Sequence, residues 1–139
     1  YRNAGQTCVC ANRLYVQDAI YDAFVNKLAA KAKGIKVGNG FEAGVNQGPM
    51  IDDQAIAKIE RHVADALAKG AQVLTGGKKQ GARYFESTVL SGATSDMLPS
   101  ALTSSASTSC TSRMLVRVFR YCRLDTSKDW MNTGALRPR

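Results

Sequence analysis

The first clear pattern in the chain is an apolar stripe at helical spacing that follows Asp18. Its members are Ile20, Tyr21, Phe24, Val25 and Leu28. Intervals of three and four residues predict an amphipathic helix, with Asp18 as its N-cap and Gly34 as its C-cap. The run just before it, RLYVQ at Arg13–Gln17, is short, apolar and rich in strand-forming residues, which predicts a strand.

A second helix is predicted from Asp52 to Gly70. We expect its buried stripe to consist of Ile56, Ile59, Val63 and Leu67. A glycine-rich connection over residues 38–48 separates the two helices, and further strands are predicted at residues 71–75 and 85–90. The order strand, helix, helix, strand with glycine turns between them favours an α/β layered domain.

The pattern changes after Met97. Residues 98–112, LPSALTSSASTSCTS, are dominated by serine and threonine without a usable period. Such a segment buries too little apolar surface to offset the entropy of ordering it. Residues 113–123, RMLVRVFRYCR, fit a basic amphipathic strand or helix. We therefore expect residues 1–97 to form one domain and residues 98–139 to be a divergent tail, either disordered or translated in a shifted reading frame.

The net charge of +8 is concentrated in that tail. Twelve basic and nine acidic residues precede Leu98, against seven basic and two acidic residues from there onward. The nearly balanced first part is typical of a metabolic enzyme. An alternative is a non-enzymatic module whose tail binds nucleic acid or an acidic surface. Its contacts would be Arg113, Phe119, Arg117, Arg120, Tyr121 and Arg123, although basic patches are unspecific signals.

The sequence shows no segment that would place the chain outside a reducing compartment. No apolar run reaches the roughly 20 residues that span a bilayer. The chain has four cysteines without secretory features, which argues against a disulfide framework. We expect a cytoplasmic protein, or one of the mitochondrial matrix if the source is eukaryotic. Because the chain opens inside an ordered motif without Met, we expect a fragment or a processed piece.

Candidate chemistry is concentrated in RNAGQTCVCANR, where one valine separates Cys8 from Cys10. A structural metal site needs three or four ligands, and the single histidine, His62, is expected on the exposed side of the second helix. Composition alone favours Cys8 as a small buried residue. The preceding Gly5-Gln6-Thr7 turn also suits a nucleophile, because backbone N–H groups near such a sulfur can stabilise an oxyanion. From the residues alone both alternatives stay open.

Residues 1–12, YRNAGQTCVCAN, resemble the active-site cysteine signature of the aldehyde dehydrogenase superfamily. Further matches follow in the same order, namely NRLYVQ, AFVNKL, IKVGNG, NQGPMID, GAQVLTGG and FESTVL. The similarity is closest to succinate-semialdehyde dehydrogenases and extends to about Met97. It implies an α/β fold in which this chain forms part of the catalytic domain, a parallel sheet flanked by helices, followed by an irregular tail.

The resemblance also implies roles for particular residues. Cys8 would attack the aldehyde carbon of succinate semialdehyde or a similar aldehyde, giving a thiohemiacetal. Hydride transfer to NAD or NADP would leave a thioester that water hydrolyses to the acid. Cys10 would be a redox neighbour able to pair with Cys8, or else a packed residue. Arg2 would bind the substrate carboxylate, for which a guanidinium fork is suited. Lys58 resembles a position near the cofactor ribose, although a solvated lysine is favoured by the sequence.

Several family features are missing from the matching positions. The family places its general-base glutamate, an oxyanion-hole asparagine and the dinucleotide-binding domain ahead of the cysteine, and a Glu-Glu-x-Phe-Gly-Pro segment soon after the Met97 region. Ser87 stands where a proline is usual, and Gly76-Gly77-Lys78-Lys79 lacks the spacing of a phosphate loop. We therefore expect a fragment that is inactive alone. The parent would be a homodimer or homotetramer that takes a small aldehyde, without membrane or nucleic-acid partners.

Overall fold

The computed structural model describes residues 1–7, 10–94 and 96–97 in full and residues 112–117 as backbone. After a short turn at Arg2–Gly5, the elements are β1 (Arg13–Gln17), α1 (Asp18–Lys33), α2 (Asp53–Ala68), β2 (Gln72–Thr75), β3 (Lys79–Gln80), β4 (Tyr84–Phe85), β5 (Val89–Ser91) and β6 (Ser112–Arg117). Neither helix in this described part is long and apolar enough to cross a bilayer. The predicted mixture of helices and strands is confirmed.

The main sheet has the strand order β1-β6-β5-β2, and β3 pairs with β4 in a separate hairpin. Each neighbouring pair among these strands is antiparallel. The expected parallel sheet is therefore wrong for the described strands. β1 and β5 do run in the same direction, but β6 lies between them in the opposite direction. The expectation of a tail that is irregular throughout is also wrong, because residues 112–117 form a strand. A strand was one of the two structures predicted for residues 113–123. The remaining tail residues, including those of the proposed basic surface beyond Arg117, lie outside the described part.

β5 is buried on both faces, and this divides the core into two clusters. Val89 packs with Val16, Tyr21, Val25 and Ala32, which come from β1 and α1. Its neighbour Leu90 packs with α2 residues such as Ile56 and Ile59, and with Phe85 and Met97. Successive side chains of a strand point to opposite faces. The two helices therefore cover opposite faces of β5, and the arrangement is a three-layer α/β/α unit.

The first helix differs from its prediction in two ways. It begins at Asp18 itself, and the N-cap is Gln17, which makes no side-chain capping bond. Asp18 is not the cap because β1 runs into α1 without a linker, so the last strand residue takes the cap position. Ile20 is 54% exposed and Phe24 is 37% exposed, because only the row through Tyr21 faces the sheet. The predicted end is confirmed, since Gly34 is the C-cap.

The second helix begins as predicted. Asp52 is its N-cap, and the carboxylate accepts a hydrogen bond of 2.7 Å from the Ala55 N–H. Such a cap contributes about 1 kcal/mol to stability. The stripe prediction is wrong at its last member, since Leu67 is 48% exposed while Ala66 is fully buried. The cause is the chain reversal after the helix, in which the Ala71 N–H bonds to the Ala66 carbonyl at 2.9 Å.

The strand predicted at residues 85–90 is interrupted between Phe85 and Val89. The turn at Gly76-Gly77 ends β2, as predicted. It comes so close to residues 87–88 that a Cβ on Gly76 would lie 2.5 Å from the Ser87 carbonyl oxygen. The Thr88 hydroxyl accepts a bond of 2.8 Å from the Gly77 N–H. Residues 86–88 belong to neither strand, so β4 pairs with β3 while β5 pairs with β2 and β6.

Candidate functional site

The segment that leads to Cys8 has an unusual backbone. Asn3, Ala4 and Gly5 have φ angles of 50°, 51° and 73°, so three successive residues adopt the left-handed conformation. This conformation is uncommon for residues other than glycine. Ala4 is only 1% exposed and belongs to the cluster under α2. The packing of its methyl group holds the strained backbone in place, as is typical of functional segments.

Tyr1 fixes the start of the same segment to the core. Its hydroxyl donates a bond of 2.6 Å to the Thr88 carbonyl, which immediately precedes β5. The ring is half-buried and packs against both core clusters. The cysteine segment is therefore attached where the two layers of helix meet the central strand.

Gln6 joins this segment to the connection that precedes α2. Its Nε2 donates to the Asn3 carbonyl at 3.1 Å and to the Pro49 carbonyl at 3.4 Å. Its Oε1 accepts from the Ile51 N–H at 2.8 Å. The sequence marked Gln6 only as part of a turn. An amide can donate and accept at once, but no signal in the sequence identifies the distant partners Pro49 and Ile51.

The residues on either side of Cys8 and Val9 are bonded to each other, while those two residues lie outside the described part. The Cys10 N–H bonds to the Thr7 carbonyl at 3.2 Å. The Thr7 hydroxyl is 2.7 Å from the Cys10 sulfur, which also donates to the Arg2 carbonyl at 3.6 Å. Within the described part of the chain Cys10 is a half-buried reduced thiol. The contacts suit both a packed residue and a redox neighbour of Cys8, so its role stays a prediction.

Arg2 lies beside Cys10 through its backbone, while its side chain is exposed. Its guanidinium forms no ion pair with any residue that the structure describes. Five donors are therefore available for an anionic ligand. The position is compatible with the predicted carboxylate contact, which stays a prediction, as does the role of Cys8.

The Gly76-Gly77-Lys78-Lys79 turn does not fit a dinucleotide phosphate. The Gly77 N–H, which a phosphate loop would offer to its ligand, already bonds to Thr88. Gly76 faces the Ser87 carbonyl rather than an open cradle. Lys58 is half-buried on α2, and its predicted place near a cofactor ribose stays a prediction. A half-open cavity of about 290 Å³ lies between the end of α1 and the Gly76 turn, away from the cysteine motif.

Two polar predictions away from the motif have clear outcomes. His62 was expected to be exposed and is instead half-buried, because its helix position borders the buried row through Val63. Ser87, which stands where a proline is usual, is 4% exposed and donates a bond of 2.7 Å to the Gln47 Oε1. Gln47 Nε2 in turn donates to the Phe85 carbonyl at 2.9 Å. A proline at residue 87 would leave that buried amide oxygen without this donor.

Comparison with known proteins gives a consistent result. The model of the aldehyde dehydrogenase family matches residues 1–99. The chain is 59% identical over 99 residues to a 3-sulfolactaldehyde dehydrogenase of Pseudomonas putida, covering 70% of this chain and 20% of that protein. It is 57% identical over 101 residues to the mitochondrial succinate-semialdehyde dehydrogenase of Rattus norvegicus, covering 70% and 19%.

The solved structures agree with the sequence matches. The crystal structure of succinate-semialdehyde dehydrogenase from Burkholderia pseudomallei superposes with a TM-score of 0.70 at 53% identity, covering 71% of this chain and 21% of that one. The chain spans about a fifth of the length of the curated relatives it matches.

The left-handed backbone at Ala4 can be tested by two substitutions. Ala4→Gly removes a strain of about 1 kcal/mol but also a buried methyl worth about 0.8 kcal/mol, so we expect the free energy of unfolding to change by less than about 1 kcal/mol. Ala4→Val places a branched side chain at a positive φ in a packed core, and we expect a loss of about 2 kcal/mol or more. Urea unfolding followed by circular dichroism measures both. A Val variant as stable as the parent chain would contradict the described backbone.

Proposed function

Since the chain belongs to the aldehyde dehydrogenase family, we propose that it carries the nucleophile segment of an NAD(P)-dependent enzyme that oxidises an aldehyde to its carboxylic acid. The observation that carries the proposal is the family match over residues 1–99, which includes the whole cysteine motif. The fixed backbone of the motif supports it, because a nucleophile must be held in one geometry relative to its substrate.

Cys8 is the proposed nucleophile. Its thiolate attacks the aldehyde carbon, a sulfur–carbon bond forms, and the carbonyl electron pair moves to oxygen. The N–H of Cys8 would stabilise that oxyanion. After oxidation the sulfur holds the acyl group as a thioester, and hydrolysis releases the acid and restores the thiol. The nicotinamide cofactor supplies the oxidising power when it is bound.

The proposed substrates are short aldehydes with an anionic group at the far end, succinate semialdehyde first among them. The named relatives act on succinate semialdehyde and on 3-sulfolactaldehyde, whose far ends are a carboxylate and a sulfonate. A guanidinium binds either group through paired N–H donors. Arg2, whose side chain is exposed and whose carbonyl contacts the Cys10 sulfur, is the proposed donor.

Cys10 is proposed to pair with Cys8 under oxidation and so to block catalysis reversibly. A disulfide between the two sulfurs would form with loss of two protons and two electrons to an oxidant such as hydrogen peroxide. A disulfide between residues two positions apart is sterically demanding, so we expect it to be readily reduced. Loss of thiol reactivity with peroxide that a thiol reductant does not restore would argue against this role.

The nucleophile assignment predicts selective labelling of Cys8 in the 139-residue chain. We expect iodoacetamide to modify Cys8 at least about tenfold faster than Cys110 or Cys122, because an activated thiol has a higher thiolate fraction at neutral pH. Peptide mapping by mass spectrometry gives each rate. Cys8→Ser is the control that confirms the assignment of the fast site. Equal rates at all cysteines would remove the support for a nucleophilic Cys8.

The complete reaction is proposed to require the rest of the parent enzyme. The chain spans about a fifth of the length of its relatives, and the Gly76-Gly77 turn does not fit a dinucleotide phosphate. We expect no reduction of NAD or NADP when the 139-residue chain is mixed with succinate semialdehyde, as followed by nicotinamide absorbance. Turnover above that of the Cys8→Ser variant would contradict this expectation.

The role of Arg2 predicts a change in substrate binding. In a full-length enzyme that contains this segment, Arg2→Leu should raise the KM for succinate semialdehyde by roughly 10- to 100-fold, the effect of losing hydrogen bonds to a charged group. The KM for butanal, which has no anionic end, should stay the same. Arg2→Lys keeps the charge without the fork and should give an intermediate value. Equal losses for the two aldehydes would show that Arg2 does not contact the anionic group.

A further inference from the structure

The side chain of Gln6 has the hydrogen bonds of a fixed bridge rather than of a surface residue. Both hydrogens of its Nε2 have carbonyl acceptors, on Asn3 and Pro49. Its Oε1 has the Ile51 N–H as donor. These contacts join two parts of the chain that are 43 and 45 residues apart in sequence. Only one orientation of the amide gives this set of bonds, because exchanging its oxygen and nitrogen would oppose like groups at all three partners.

The residues that Gln6 bonds to on the side away from the cysteines, Pro49 and Ile51, lie in a segment that is firmly held. Met50, between the two bridged residues, is 3% exposed and belongs to the α2 cluster. Its N–H bonds to the Arg83 carbonyl at 2.7 Å. Asp52, the next residue after Ile51, is the N-cap of α2. Gln6 is therefore bonded to a segment that both the core and the start of a helix hold in place.

The other side of the bridge lies inside the cysteine motif. The Asn3 carbonyl accepts from the backbone N–H of Gln6 at 3.0 Å as well as from its side chain. Gln6 thus closes the left-handed turn, and the carbonyl of the next residue, Thr7, accepts from the Cys10 N–H. Gln6 therefore lies between the left-handed turn and the bond from Cys10 to Thr7, two positions before the proposed nucleophile.

We propose that Gln6 is a positioning residue for Cys8: its amide bridge to Pro49 and Ile51 holds the backbone of residues 3–7 that leads into Cys8, and with it sets the reactivity of the nucleophile. This inference rests on the proposed function of Cys8. The bridge needs a donor and an acceptor on one planar group of this length. Leucine offers neither, and glutamate at neutral pH offers only acceptors.

The Gln6→Glu variant makes the bridge dependent on pH. Above the pKa of the new carboxyl group, a carboxylate oxygen faces the carbonyl oxygens of Asn3 and Pro49, and the contacts become repulsive. Below that pKa the carboxylic acid regains one O–H donor and keeps the acceptor for Ile51. The two carbonyls favour the protonated form and therefore raise the pKa of the introduced group above the ordinary glutamate value of about 4.3.

The experiment measures the alkylation rate of Cys8 in the 139-residue chain by peptide mass spectrometry between about pH 5 and about pH 8, spanning the range in which a raised glutamate pKa titrates. The Cys8 alkylation rate of each variant is divided by that of the unmodified chain at the same pH. Because the thiol titrates in both chains, the ratio removes most of that effect. In the Gln6→Glu variant we expect Cys8 to be alkylated about tenfold more slowly than in the unmodified chain near pH 8. Near pH 5 we expect the ratio of the two rates to approach one. Gln6→Leu should be slow throughout. Gln72→Glu is the matched control, since Gln72 is exposed on β2, and its ratio should stay near one.

The outcomes separate this inference from the proposed function. A fast Cys8 in the unmodified chain with ratios near one for both Gln6 variants overturns the positioning role. A ratio for Gln6→Glu that is low but independent of pH also overturns it, because loss of folding alone gives that result. A Cys8 no faster than Cys110 in the unmodified chain overturns the proposed nucleophile and this inference together. If Gln6→Leu does not fold, the pH dependence within Gln6→Glu still decides the question.

Discussion

The burial of β5 on both of its faces is the constraint on which the rest of the described structure depends. Thr88, Val89 and Leu90 are completely buried in succession. A strand with two apolar faces must be covered twice, so α1 and α2 have to lie on opposite sides of it. The burial of a large apolar side chain contributes about 1.5 to 3 kcal/mol, and β5 directs two of them into different clusters. The positions of both helices follow from this one strand.

The cysteine segment takes its geometry from the same strand. Tyr1 bonds to the carbonyl just before β5, and Ala4 is packed in the cluster that contains Leu90. The left-handed backbone between them would be unfavourable in a free peptide. In the folded chain the packing of Ala4 and the bonds of Gln6 oppose its relaxation. The chemistry proposed for Cys8 therefore depends on contacts made by its neighbours, while α2 provides the support beneath them.

Local signals predicted much of this fold, and long-range contacts account for what they missed. The strand at Arg13–Gln17, the cap at Asp52 and the glycine at the end of α1 were predictable because each depends on nearby residues. The exposure of Leu67 depends on a chain reversal after the helix, which helical spacing does not describe. The order of the sheet depends on β6, whose pairing with β1 joins residues about a hundred positions apart.

In the candidate site, too, the features that depend on nearby residues were predictable and those that depend on distant contacts were not. The resemblance of residues 1–12 indicated the chemistry, because the motif is continuous in sequence. Gln6 could not be selected from that motif, since two of its three side-chain partners, Pro49 and Ile51, lie far along the chain. Ser87 was noted as a departure from the family pattern. Its bond to Gln47, which explains how a hydroxyl is tolerated in the core, required the folded structure.

The bond between Tyr1 and Thr88 has a consequence for the order of folding. It joins positions separated by 87 residues, and closing so long a loop costs considerable chain entropy before any contact offsets it. The helices, whose contacts are local, can form much earlier. We therefore expect residues 1–7 to reach their final conformation only after β5 has been enclosed.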